Sequence, residues 1–318
     1  MGLIEFVLRR LLVSIVFLFV IATIVFFSTQ GLPGDTARAI LGQNASPEQV
    51  LALQQRLGLD KSVFEQYWHW LSNLMHLELG TSYTNGLPIS GLLGEKFLAS
   101  VAVAAAGGAL GLALAISVAL YSAIHRGSLL DQAAQKFGVL ISAIPDFVLA
   151  ILLILLFATS GFRILPATAL IDPEETLLSQ WKLILLPAVS LGLIMTPHTM
   201  YMLRATILEE MDSEYAAYAR LNGMGEWRIL LCHALPNAIA PAAQVMALGL
   251  AYLVGGVVSV EIVFGFPGLG STLVEAVRTR DLAMVQAVTL FSTASFLLFT
   301  FIADLIGVVS NPKVRAGS

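Results

Sequence analysis

Residues Phe97 to Ile124 read FLASVAVAAAGGALGLALAISVALYSAI, 28 positions without a charge, bounded by Lys96 and His125. A helix rises about 1.5 Å per residue and a bilayer's hydrocarbon core is about 30 Å thick, so about 20 such residues cross it. Five more stretches qualify. Leu11–Thr29, Leu183–Leu203, Ala238–Val260 and Leu282–Ala303 carry no charge, and Phe137–Phe162 carries only Asp146. Over all 318 residues 57% are hydrophobic and 12% charged, against about 25% charged in a soluble domain, which excludes a soluble enzyme, a nucleic-acid binder and a disordered chain. The net charge of −4 offers nothing to a polyanion. The single cysteine, Cys232, excludes an internal disulfide and a cysteine-cluster metal site. The expectation is an all-α bundle of six transmembrane helices.

Orientation follows from lysine and arginine placement. With the N-terminus inside, the inner segments 1–10, 124–136, 204–237 and 310–318 hold nine of these residues in 66 positions: Arg9, Arg10, Arg126, Lys136, Arg204, Arg220, Arg228, Lys313 and Arg315. The outer segments 30–98, 161–182 and 263–284 hold eight in 113. Both termini are therefore expected in the cytoplasm. The first apolar run is too long for a cleavable signal, and the Gln30–Asp35 stretch after it reads as a turn.

The chain divides into 1–30, the N-terminus with the first span; 31–98, an outer helical loop; 97–309, a core of five spans containing the inner loop 204–237; and 310–318, a tail. In the outer loop, Ser46-Pro47-Glu48-Gln49 supplies a cap, a first-turn proline and a capping-box glutamine. Val50, Leu53 and Leu57 repeat on one face before Gly58. Ser62-Val63-Phe64-Glu65 opens a second helix with Tyr67, Trp68, Leu71, Leu74 and Met75 at helical spacing. The pair is either a cover on the bundle or a docking surface for an extracytoplasmic partner.

In the inner loop, Glu209, Glu210, Asp212 and Glu214 crowd the start of a short helix, where negative charge suits the dipole. Ser213 is its N-cap and Gly223 its left-handed stop, with the alanine-rich Glu214-Tyr215-Ala216-Ala217-Tyr218-Ala219-Arg220-Leu221-Asn222 between them. A second short helix around Trp227–Ala234 ends at Leu235-Pro236. Small side chains let the first helix enter a cleft closely; an ordinary amphipathic connector has the same pattern. Asp146 is the one carboxylate well inside a span, and charge there tends to face a cavity or a partner, so it is a candidate for the substrate path, or else a helix cap after Pro145 or a group paired across a subunit interface. Glu261 ends the fifth span, as a gate, a docking point or the edge of the membrane. Pro145, Pro187 and Pro197 lie within spans and invite kinks. Gly107-Gly108, Gly111 and Gly255-Gly256 permit close helix contacts.

No Gly-x-x-x-x-Gly-Lys-Ser/Thr loop, His-Glu-x-x-His or Gly-x-Ser-x-Gly occurs, so neither nucleotide binding nor these hydrolytic chemistries reside in this chain. His69, His76, His125, His198 and His233 are scattered, and two ligands on one face make a poor metal site.

The spacing from Gly223 to Leu235-Pro236, with alanines before the glycine, resembles the EAA loop of ABC importer permeases. Ala217 stands where that motif has its leading glutamate, and Glu214-Tyr215 resembles the acidic-tyrosine pair of the peptide/nickel branch. Leu8–Leu12, Leu32-Pro33-Gly34-Asp35, Leu57-Gly58-Leu59-Asp60, Leu79-Gly80-Thr81-Ser82, Ile144-Pro145-Asp146-Phe147 and Glu261–Gly270 resemble further stretches of that branch. The resemblance implies the first of two permeases of a dipeptide/oligopeptide/nickel-type importer in the cell inner membrane. It implies a second permease, two ATPases carrying ATP and Mg, and an extracytoplasmic binding protein. It also implies that Glu214, Tyr215, Ala216, Ala219, Arg220 and Gly223 meet the ATPase, with no catalytic, cofactor or metal residue in the chain. Nickel chelates, glutathione and opines are alternative cargoes, and a self-contained secondary transporter is an alternative class.

Overall fold

A computed structural model describes residues 3–31, 36–42, 44–159, 161–172, 175–176, 179–239, 243, 246–249 and 258–310. The turn at Leu32–Asp35, the pair Gly255-Gly256 and the basic tail residues Lys313 and Arg315 lie outside them. Among the described residues the regular structure is helical, apart from one isolated bridge between Thr81 and Pro88, and turns and irregular segments join the helices.

Four helices are long and apolar enough to cross a membrane. They are α1 (Leu3–Gln30), α5 (Ile89–Ile124), α8 (Trp181–Met211) and, at the end of the chain, Leu282–Ser310. The short α2 (Thr36–Leu41), α3 (Pro47–Leu57) and α4 (Val63–Met75) fill the loop after α1. Both expected capping boxes form: Ser46 and Ser62 accept from the amides of Gln49 and Glu65, whose side chains accept from the cap amides. Gly58 is left-handed at φ 67°, so the closure of α3 follows from local chemistry alone.

The third span departs from expectation. Residues 137–162 do not form one helix: α6 (Leu129–Ala143) stops, and α7 (Asp146–Ile154), continued by a π-helical turn over Leu155–Thr159, leaves at 106°. Pro145 is the cause. It has no amide hydrogen to donate, and it pushes Ile144 to an extended φ −87°, ψ 126°. Pro187 and Pro197, by contrast, sit inside α8 without ending it. Beyond α9 (Glu214–Leu221) and α10 (Glu226–Ile229), the expected fifth span falls mostly outside the described residues. Its end is α11 (Val258–Phe264), followed at 80° by α12 (Leu269–Arg278) and then by α13 (Leu282–Ser310). A count of six spans thus requires each bent pair to be one span.

Contacts divide the chain into two units. One comprises Met1–Leu11, Val101–Phe266 and Phe296–Ser318. Its core packs Ala115, Ala119 and Ala123 of α5 against Leu203 and Ile207 of α8 and against Ile229 and Leu230. Close approach is built in: a Cβ on Gly107 would lie 2.7 Å from the Leu191 Cβ, and one on Gly111 2.7 Å from the Gly192 carbonyl oxygen. The other unit comprises Leu12–Ser100 and Pro267–Ser295. There Ile89 and Leu93 pack with Leu269, Met284, Val285 and Val288, and Phe97 meets Phe291 edge to face at 5.0 Å.

Candidate functional site

The loop after α8 builds α9 from both ends. Ser213, extended at ψ 160°, accepts from the Ala216 amide, and Glu214 lies in the first turn, where it complements the dipole. At the other end Gly223 has φ +79°. Its amide donates to the Arg220 carbonyl at 2.9 Å, and that of Met224 to the Ala219 carbonyl at 3.1 Å, the paired closure of a Schellman turn.

The two faces of α9 are unlike. Ala216 and Ala219 were expected to meet a partner; they are 0% and 6% exposed and belong to the core with Met211, Ile229 and Leu230. Their small size lets α9 lie close against its own bundle. The open face carries Tyr218, 69% exposed, and Leu221, 87% exposed, together with Glu214 and Ala217. Neither Tyr218 nor Leu221 was singled out, although both lie about 100° or more around the helix from each of the buried alanines.

Polar contacts hold this arrangement. Arg220 donates through Nε and Nη2 to both carboxylate oxygens of Glu226 at 2.6 and 3.0 Å, and through Nη1 to the Met211 carbonyl at the end of α8 at 3.0 Å. These bonds hold the Glu226 carboxyl below its ordinary range and raise the guanidinium further. The Tyr215 hydroxyl donates to the Glu210 carboxylate and accepts from the Asn237 amide at 3.3 Å. Partial burial, then the bond to Glu210, raise its phenol pKa. Tyr215 with Glu210 and Asn237, and Arg220 with Glu226 and the Met211 carbonyl, thus form two separate polar struts, while the Tyr218 and Leu221 side chains stay exposed.

Beneath the loop lies a contact that sequence reading missed. Arg204, there only a flanking charge, donates from Nε and Nη2 to the two oxygens of Asp131 at 3.0 and 2.9 Å. Asp131 is 1% exposed and also accepts from the Gly127 amide and the Gln135 side chain. The Ser128-x-x-Asp131 spacing, which caps α6, was the available signal. In the second unit Asp281 has a parallel role. It accepts from the hydroxyls of Ser82 and Thr84 and from the amides of Tyr83, Thr84 and Met284.

Asp146, expected deep in a continuous span, is instead the first residue of α7 and half-buried. The helix break places it in the first turn of α7, where negative charge complements the helix dipole. Glu261 is on α11, which packs along α7, and is 1% exposed. No group of three or more potential metal ligands gathers among the described residues.

Long apolar helices joined by short capped ones define a polytopic membrane protein. Residues 111–316 match the family described as binding-protein-dependent transport system inner membrane component, and residues 3–105 match the N-terminal region of the same kind of component. The chain belongs to this family. It is 32% identical over 310 residues to a putative peptide transport system permease protein of Brucella abortus (strain 2308), covering 97% of this chain and 98% of that one. It is 29% identical over 312 residues to a glutathione transport system permease protein of Escherichia coli (strain K12), covering 98% and 99%.

Proposed function

We propose that this chain is one of two permease subunits of an ATP-driven importer of short peptides, oriented with both termini in the cytoplasm. A binding protein delivers the cargo from outside, and two ATPase subunits carry ATP and Mg. The relatives support the cargo class: one is named for peptides and the other for glutathione, itself a tripeptide.

The observation that carries the coupling role is α9. It is a capped three-turn-or-shorter helix whose alanines bind it to its own bundle and whose Tyr218 and Leu221 stand free. A protruding aromatic and a leucine on a rigid base make an anchor for a cleft in a partner. Closure of the ATPases then moves α9 as a body with α8, because Arg220 ties the two together.

The test is ATP hydrolysis and labelled-dipeptide uptake by the reconstituted complex. Leu221→Asp should leave the spans inserted but reduce hydrolysis stimulated by loaded binding protein by about tenfold or more. Ala219→Leu acts differently: it overpacks the core under α9 and costs about 1–3 kcal/mol of stability. Normal stimulation in Leu221→Asp would overturn the coupling role. Uptake indifferent to excess unlabelled dipeptide would overturn the cargo.

A further inference from the structure

The helix α4 carries three stripes. At about 100° per residue, Phe64, Trp68, Leu71 and Met75 fall within about 60° of one another. Tyr67, Trp70 and Leu74 form the adjoining stripe, and Glu65, His69 and Asn73 the opposite one. The adjoining stripe is spent on α1. The Tyr67 hydroxyl lies 2.9 Å from that of Thr23, and its ring stacks on Phe27 at 5.3 Å and meets Phe26 at 5.2 Å. The first stripe is left open, with Phe64, Trp68 and Met75 each at least 65% exposed.

Depth identifies what covers it. From Arg10 to Gln30, α1 runs about 30 Å, the thickness of the hydrocarbon core. Arg10 is paired with Asp304 at one end, and Gln30 bonds Gln66 at the other. Thr23 lies seven residues before Gln30, about 10 Å inside that end, and Phe27 about 4–5 Å inside. Since Tyr67 reaches Thr23 and the Phe64 ring is 6.2 Å from that of Phe27, α4 sits at the depth where hydrocarbon gives way to headgroups. Its open stripe also continues a ridge of exposed apolar residues on α1: Val20, Ile24 and Phe27. Tryptophan is favoured at that depth, and a helix with an apolar face inward and a polar face outward lies in the plane of the interface.

We propose that Phe64, Trp68 and Met75 seat α4 in the interfacial layer of the leaflet at the Gln30 end of α1, with His69 and Asn73 turned to water. The helix is thus an anchor on lipid rather than a surface awaiting a protein. The proposal requires only that α1 spans the bilayer and is independent of the cargo.

The test uses the complete transport complex in phosphatidylcholine vesicles. Replacing Trp70, Trp181 and Trp227 by phenylalanine leaves Trp68 as the chain's sole tryptophan, and in complexes prepared with tryptophan-free partner subunits its emission is read against lipids brominated near the headgroup or near the chain end. Shallow bromines should remove about half of the emission and deep ones at least about twofold less. Emission indifferent to both bromolipids overturns the proposal, whether acrylamide reaches the ring from water or a protein shields it. An otherwise native chain with p-benzoylphenylalanine in place of Phe64 provides a second reading. Irradiation should add a phospholipid to the chain; an adduct to another subunit, or no lipid adduct, overturns it.

Discussion

Asp131 and Asp281 are both almost fully buried, each in a different unit and each at the start of a helix, yet they are satisfied by different chemistry. Asp131 faces a guanidinium, that of Arg204, in a two-bonded fork. Among the described residues no cation pairs with Asp281: two hydroxyls and three backbone amides share its charge. The first anchor joins α6 to α8 just ahead of α9, in the part of the chain proposed to move with the ATPases. It places most of its energy in one geometry-dependent pair. The second pins the Thr81–Asn85 turn to the head of α13 and spreads its energy over five donors. A paired charge is strong while both partners are present and costly when one is lost, whereas a distributed set weakens gradually.

The sharpest way to break this contrast is Arg204→Leu. It strands a buried carboxylate and should destabilise the chain by about 3–5 kcal/mol. Thermal unfolding of the complex in lipid nanodiscs checks this. The double variant Asp131→Leu with Arg204→Leu should recover most of the loss, because neither charge is then left alone. A single variant as stable as wild type would show that the pair anchors nothing.

Asp281→Asn should cost less, about 1–3 kcal/mol. The amide keeps one acceptor oxygen but turns a donor towards groups that already donate. Local opening should dominate, so hydrogen exchange at the Tyr83 and Thr84 amides should accelerate by about tenfold or more while the core of α13 is unchanged. Uniform acceleration across the unit would mean that Asp281 supports global rather than local structure.

The smallest effect belongs to the exposed pair Arg220–Glu226, which sharpens the comparison as a surface control. Glu226 is held below the usual carboxylate range in the folded state. Its contribution is therefore complete above that range and is lost as pH falls through the lowered folded value. Solvent exposure limits it to below about 1 kcal/mol. Emission of the neighbouring Trp227 should change as pH falls below the ordinary carboxylate value of about 4.3 in wild type and not in Glu226→Gln. Identical curves would disconnect the pair from the geometry of α10.

Much of this molecule was legible before folding. The boundaries of α3, α4 and α9 follow from Ser46, Ser62, Ser213, Gly58 and Gly223, since a cap acts within three or four residues and a left-handed glycine within one. The apolar runs behind α1, α5, α8 and α13 were equally plain, because a bilayer demands continuous apolar length. Pro145 announced a kink but not the size of the turn, since proline removes a bond and leaves the exit direction to the packing around it.

What the tertiary structure alone decided is which side of each element is used. Ala216 and Ala219 are as compatible with a partner's cleft as with their own bundle, and only the packing of α8 and α9 turned them inward and left Tyr218 and Leu221 outside. Tyr67 and Trp68 adjoin in sequence, yet α1 took one and left the other. The sequence by itself determined the class of protein, the apolar lengths and the helix ends, all of which rest on interactions between near neighbours along the chain. The partners of Asp131 and Asp281, 73 and nearly 200 residues away, were decided by burial, because a carboxylate taken out of water must accept from whichever donors the fold brings within reach.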